Sequence, residues 1–242
     1  MRYGILSDVH GNLPALQSVL KTCAKIKVDK LLFLGDAVGY GANPNQCASL
    51  IREEAAAFLA GNHDLGAVGM TNIRNFNPYA LEALAWTART LTPDNAHYLK
   101  ERPMTVEIDD IFLVHASPCQ PAEWHYIFHH QEASLNFSAF SQQVCFIGHS
   151  HLPCVFILYP DGSISLERAA SLVLHDNARY IINVGSVGQP RDGDPRASLG
   201  VLDTDNGKYY LHRTIYEIKD AQASILCMGL PRFLAERLAI GR

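Results

Sequence analysis

Three short apolar runs near the amino end, each of strand length and each closed by polar residues, constrain this chain more than any other feature. "RYGILS" begins at Arg2, "KLLFLGD" spans Lys30 to Asp36, and "AAFLAGN" spans Ala56 to Asn62. The second is continuously apolar rather than alternating, as a strand covered on both faces of a parallel sheet must be. Between the runs the apolar period becomes helical. Leu13, Leu16, Val19, Leu20, Cys23 and Ile26 recur on one face behind Asn12 as N-cap, which predicts a helix to about Lys25. "NPNQCASLIREE" (Asn43 to Glu54) predicts a second helix, and this strand and helix alternation folds as layered α/β.

Further helices are predicted from Pro78 to about Leu91 and from Pro93 to Glu101. Beyond Arg102 the pattern changes to short strands: "MTVEID", "IFLVH", "VCFIG", "CVFILY", "SISLE", "YIINVG", "SLGVLD" and "KYYLHRTIY". Turn residues such as Pro160-Asp161-Gly162 and Asp205-Asn206-Gly207 separate many of them. A second, partly antiparallel sheet packed on the first is therefore expected. Two helices, about Asp220 to Met228 and Pro231 to Leu238, are expected to close the chain. Residues 1–242 are read as one domain, since chains of this length commonly share a single core.

Composition narrows the function. Hydrophobic residues make up 48% and charged residues 18%, the balance of a folded globular chain. Lys plus Arg number 20 against 24 Asp plus Glu, a net charge of -4. That leaves no basic surplus for a nucleic-acid backbone or an anionic membrane. No segment reaches the roughly 18 to 20 apolar residues of a spanning helix. The six cysteines are scattered without a CxxC pair and are expected as reduced thiols, which points to a cytoplasmic protein.

The polar residues that close the runs carry the chemistry. Asp8 and His10 follow the first strand, Asp36 ends the second, and Asn62 and His63 end the third. His115 ends "IFLVH", and His149 and His151 follow "VCFIG". Open α/β sheets place their sites at these carboxyl ends. One such residue alone is a turn former or a helix cap. Together, three carboxylate or amide oxygens and four imidazoles make two coordination sets for borderline transition metals. The pairs Asp8/His10 and His149/His151, at i and i+2, are expected to share one side of an extended chain.

In order, the blocks "DVH", "GD", "GNHD", a lone His and "GHSH" resemble the calcineurin-like metallophosphoesterases, and within them the branch of small bacterial phosphoesterases. The resemblance runs from Asp8 to about Asp203. It implies a four-layer αββα sandwich, two mixed sheets flanked by helices, with the metal site at the strands' carboxyl ends. It also implies that Asp8, His10 and His151 hold one divalent transition metal ion and Asn62, His115 and His149 a second, with Asp36 bridging. Manganese is the expected ion, and Fe, Zn, Ni and Co suit the same ligands. His63 would stand beside the scissile ester without ligating, and hydroxide from a water between the metals would attack phosphorus in line.

The protein-phosphatase branch writes GDxVDRG, with an acid to orient the histidine of GNH and an arginine to bind phosphate. Here Gly39 and Tyr40 take those places, which leaves Asp64 as the expected support for His63. It also shifts the expected substrate toward a small phosphodiester or nucleotide. Phosphomonoester hydrolysis, a protein phosphatase and a non-catalytic scaffold of the same fold are the alternatives. Asn12 is read both as a helix cap and as a residue facing substrate. In the late loop "NVGSVGQPRDGDPRAS" (Asn183 to Ser198), the readings are a stiff connection or a rim in which Arg191, ahead of Arg196, meets a phosphate. "EWHYIFHH" (Glu123 to His130) reads as an exposed amphipathic segment, or as an aromatic lid formed by Trp124, Tyr126 and Phe128.

Overall fold

The computed structural model describes all 242 residues. Strands β1 (Arg2–Leu6), β2 (Lys30–Phe33) and β3 (Ala55–Phe58) run parallel. They join β9 (Ser171–Val173), β11 (Ala197–Asp203) and β12 (Lys208–Thr214) in a six-stranded sheet of order β3-β2-β1-β11-β12-β9, whose second half is antiparallel. The other sheet orders β4 (Thr105–Ile108), β5 (Ile111–Val114), β6 (Val144–Ile147), β10 (Arg179–Asn183), β7 (Cys154–Leu158) and β8 (Ile164–Glu167) as β4-β5-β6-β10-β7-β8. In it, β5, β6 and β10 are parallel and the remaining pairs antiparallel. Both sheets are mixed, as expected.

Strand alternation divides the interior into three cores. Tyr3, Ile5, Leu32 and Leu34 of the first sheet meet Leu113, Phe146, Val155 and Ile182 of the second, forming the layer between the sheets. Their neighbours Leu6, Phe33, Val201 and Leu199 point the other way, under helices α1 (Leu13–Lys25), α2 (Pro44–Glu54), α4 (Pro78–Thr90) and α7 (Ile218–Cys227). Phe112, Cys145, Ile147 and Phe156 face the outer side of the second sheet, where α6 (His130–Phe137) covers them with Ala133 and Phe137. Four layers result. Each fully buried Leu, Ile or Phe contributes on the order of 1.5–3 kcal/mol through burial.

The predicted helices form for the reasons anticipated. Asn12 caps α1 by accepting from the Ala15 N–H at 3.2 Å, and Asn77 caps α4 from the Ala80 N–H at 3.0 Å. Pro78 and Pro93 open α4 and α5 (Pro93–Lys100), where proline's missing N–H costs nothing. α8 (Arg232–Glu236) is shorter than expected and passes into a 3-10 turn, Arg237–Ala239.

Three elements had no sequence signal: α3 (Asn62–Ala67), α6 and β9. α3 has six residues and β9 three, too few to show a period. α6 starts in histidines and buries only Ala133, Asn136 and Phe137. No helix is long and apolar enough to cross a membrane.

Candidate metal centre

The chain leaves β1, β2 and β3 of one sheet and β5 and β6 of the other into loops that converge. They carry Asp8 and His10, Asp36, Asn62, His115, and His149 and His151 in that order, and all seven side chains are buried. Asp8, His10 and His151 bring ligand-type atoms within 4.8 Å of one another, as do Asp36, His115 and His149. Asn62 Oδ1 lies 3.2 Å from His115 Nε2 and joins the second group. Asp36 also forms such a group with His10 and His63. Every residue expected as a ligand is in this cluster.

The i, i+2 pairs do not converge by the expected route. Asp8 and His10 have φ of 56° and 49°, and His149 and His151 of 64° and 61°, so these loops are left-handed rather than extended. Asp36 (φ 60°) and Tyr40 (φ 51°) share the conformation. Asp and His tolerate it better than most residues, yet each instance costs on the order of 1–3 kcal/mol. A cage of main-chain hydrogen bonds holds it: Asp8 N–H to Gly35 O, His10 N–H to Asp36 O, Gly11 N–H to Ala37 O and Arg191 N–H to His151 O. The Asp8 carboxylate accepts from the His149 N–H at 3.0 Å. A Cβ on Gly148 would come within 2.5 Å of Asp8 Oδ2, which explains the glycine before His149.

The donor set fits metal cations. Nδ1 of His10, His115 and His151 lies 3.0, 3.2 and 2.6 Å from the carbonyl oxygens of Val38, Leu34 and Gln189. A carbonyl accepts only from a protonated nitrogen, so Nδ1 carries a hydrogen in each ring and Nε2 is the nitrogen turned inward. Nε2 of His10 and of His151 then face each other at 3.1 Å. Two lone pairs at that distance repel unless a cation or a proton lies between. Asp8 Oδ1 and His149 Nε2 are buried with no hydrogen-bond partner, a costly state that coordination relieves.

Charge follows the same plan. Burial works against charge on Asp8 and Asp36, yet His151 and His10 around Asp8, and His115 and His63 around Asp36, hold both well below the usual carboxylate range. Burial and the nearby His115 push His149 down to about 3, and burial and Arg191 push His151 down to about 4. Burial would lower His115 also, but Asp36 and Asp8 outweigh it and raise His115 to about 9.

His63 stands beside the cluster in the first turn of α3, its ring against His10, Tyr40 and Phe76 at 4.8, 4.5 and 4.8 Å. Burial holds its pKa well below the ordinary value despite Asp36. A Cβ on Gly39 would lie 2.5 Å from His63 Nδ1, so position 39 faces that nitrogen, and Nδ1 is buried without a partner. Asp64 does not supply the missing support. Its carboxylate accepts from the N–H groups of Asp36, Val38 and Gly61 at 2.8, 3.2 and 3.1 Å, tying the Asp36 loop to the start of α3. Burial and the charge of Asp36 lift Asp64 to about 7.

Asn12 is likewise committed elsewhere. Besides capping α1, its amide donates to Gly188 O at 2.8 Å and to the Tyr216 hydroxyl at 3.3 Å, so it presents no free group to a substrate. Arg191 does reach the site. It donates to Gln189 Oε1 at 2.9 Å and to the Tyr40 hydroxyl at 3.4 Å. A cleft of about 620 Å³ opens over Asn62, His63 and His149, walled by Tyr40, Phe76, Trp124, Tyr126 and Arg191. Tyr126 stacks on His149 at 4.2 Å and on Phe128 at 5.1 Å, so the aromatic part of "EWHYIFHH" borders the cleft.

Three supporting residues had gone unassigned. Ser186 donates to Asp8 O and accepts from the Gln189 N–H, each at 2.8 Å, while Asn183 donates to Gly148 O at 2.6 Å and to Ser150 Oγ at 3.0 Å. Gln189 O holds His151. All three lie in or beside "NVGSVGQP", the late loop, whose one visible signal was its density of glycine and proline.

A calcineurin-like phosphoesterase superfamily domain matches residues 1–207. An uncharacterized protein of Methanocaldococcus jannaschii is 37% identical over 243 residues, covering 98% of this chain and 97% of that protein. The crystal structure of a metallophosphoesterase from Sphaerobacter thermophilus is 40% identical, with a TM-score of 0.87 over 100% of this chain and 99% of that one. A hypothetical protein from Pyrococcus horikoshii shares the fold at 17% identity, with a TM-score of 0.81 over 100% of this chain and 98% of that one. With its two mixed sheets and its convergent His and Asp side chains, the chain belongs to the calcineurin-like phosphoesterase superfamily.

Proposed function

We propose that this protein hydrolyses phosphoesters with two divalent cations, and that small phosphodiesters or nucleotide-type esters are its preferred substrates. One observation carries the reading: Asp36 Oδ2 lies 3.6 Å from His10 Nε2 and 3.3 Å from His115 Nε2, between the two groups of ligand-type atoms. Asp8, His10 and His151 would hold one ion, and Asn62, His115 and His149 the other, with Asp36 shared. Manganese is the leading candidate among ions suited to this mixture of imidazole and oxygen, ahead of Fe, Zn, Ni and Co. When bound, the ions lower the pKa of a water so that it attacks near neutral pH, and they draw charge from the phosphoryl oxygens.

The chain's own groups do the rest. Asp64 holds the Asp36 loop against α3, which keeps the shared carboxylate and His63 in fixed relation. His63, neutral near pH 7 because burial disfavours its charge, donates a hydrogen bond to the leaving oxygen. Arg191 meets a non-bridging phosphoryl oxygen from the rim. The rings of Tyr40, Phe76, Trp124 and Tyr126 keep water from the wall and receive a planar substituent. Gly39 and Tyr40, standing where the protein-phosphatase branch has its acid and arginine, favour an ester with an organic second group over a phosphoprotein.

The test is hydrolysis of bis-p-nitrophenyl phosphate and of p-nitrophenyl phosphate after chelation and readdition of manganese, with bound metal counted. Diesterase activity that returns with two ions per chain is the expected result. A chain that binds no metal on readdition would overturn the reading.

A further inference from the structure

A second cavity, of about 500 Å³, lies where the two sheets part, beyond the loop that follows His151. From one side Tyr209, Leu211 and Arg213, alternate residues of β12 and so on one face of the strand, point into it. Leu152 and Pro153, in the loop before β7, border it on the other side. Arg168, Arg191 and Arg242 complete a lining that holds four arginines and one acidic residue, Asp192. In a chain with net charge -4, that is a local reversal of sign.

The arginines differ in their commitments. Arg213 is paired with Asp192 and lies 3.8 Å from Asp194, and Arg191 is bonded to Gln189 and Tyr40. Arg168 and Arg242 lie within 4.0 Å of no carboxylate, and their guanidinium groups make no hydrogen bond to the protein.

We propose that this cavity is a second ligand site, separate from the metal cleft, which binds a small phosphate-bearing molecule with an apolar or planar body. The guanidinium groups suit phosphate oxygens, and Leu152 and Leu211 offer apolar surface to the body. The volume falls in the range of small-molecule sites, roughly 300–1,000 Å³. Arg191 lines both cavities and forms the wall they share. The assignment stands whether or not the cleft hydrolyses esters.

Titration of adenosine 5′-monophosphate into the full-length protein, metal-loaded and after chelation, tests it. Binding at one site that survives chelation is expected, with inorganic phosphate competing and adenosine at least about tenfold weaker. The Arg168→Ala/Arg242→Ala protein, altered at two exposed side chains, should lose about tenfold or more of that chelation-resistant affinity. Loss of all nucleotide binding on chelation would overturn the proposal. So would unchanged affinity in that variant, adenosine binding as tightly as the nucleotide, or failure of phosphate to compete.

Discussion

The floor and the rim of the cleft are built on opposite principles. On the floor, Asp8, Asp36, His115 and His151 are almost wholly buried, several of them in left-handed backbone, and held by main-chain hydrogen bonds at short range. At the rim, Tyr126 and Phe128 are 45% and 41% exposed and rest on one another, while Arg191 is only half-buried. Under the proposed function, a floor so fixed would serve any phosphoester, because what it would meet is phosphate. Choice among substrates would then come from side chains free to fit different groups. Reaction chemistry and selectivity would thus be separated by depth.

The sharpest way to break this division is at its deepest point. Asp36→Ala should lower turnover on the order of 10³-fold or more, with metal lost from both groups. Metal analysis finding two tightly held ions in that variant would refute a shared carboxylate. His63→Ala should cost on the order of 10²–10³-fold with an alkyl leaving group and far less with p-nitrophenolate, which departs without help. An equal loss on both esters would remove His63 from the leaving-group side.

Proton competition tests the floor without a mutation. In the metal-free protein His115 is raised to about 9, so at pH 7 it is protonated and must release that proton to bind a cation. Apparent metal affinity should climb about 50-fold from pH 7 to 9 and about 100-fold in all before levelling off, and titration in buffers of different ionisation enthalpy should show the released proton. The sign for folding follows from a pKa raised above the unfolded value of 6.5: the stabilisation from His115 is complete below about pH 6.5 and is lost as pH rises through about 9. Metal affinity that does not vary with pH would contradict this picture.

Smaller effects belong to the rim and to its supports. Tyr126→Ala should raise KM about tenfold for a nucleotide-type diester and leave kcat unchanged, the scale of one lost stacking contact. A fall in kcat instead would make Tyr126 part of the floor through His149. Asn12→Ala should cost roughly 1–3 kcal/mol of stability, since it removes a cap and two buried bonds. Its kcat/KM should stay close to that of the unaltered protein, and a selective loss of activity would restore the substrate contact that the geometry denies.

Much of the floor was legible in the chain because its residues obey a local rule. Asp8, Asp36, Asn62, His115 and His149 each follow a strand, and a strand of apolar residues has little other use for a ligand at its end. What could not be read was how two such residues, i and i+2, come to face one point. That depended on left-handed turns at Asp8, His10, His149 and His151, set by hydrogen-bond partners as distant in the chain as Gly188 is from Asp8. Asp64 illustrates the same gap: its sequence position beside His63 suggested support for the ring, whereas its bonds run to backbone of the Asp36 loop and of Gly61.

By itself the sequence determined the alternation of strands and helices, the two-sheet class and the identity of the candidate ligands, because hydrophobic period and residue type are local properties. Only the tertiary structure decided which groups meet: that Asp36 lies between two sets, that Gly39 leaves a nitrogen of His63 bare, that Asn12 is spent on Gly188 and Tyr216, and that four arginines from distant segments line one cavity. Those outcomes depend on distances between segments that the chain itself holds apart, from Gly39 and His63 to Asn12 and Tyr216. Packing of one sheet on the other sets them, and no periodicity along the chain records it.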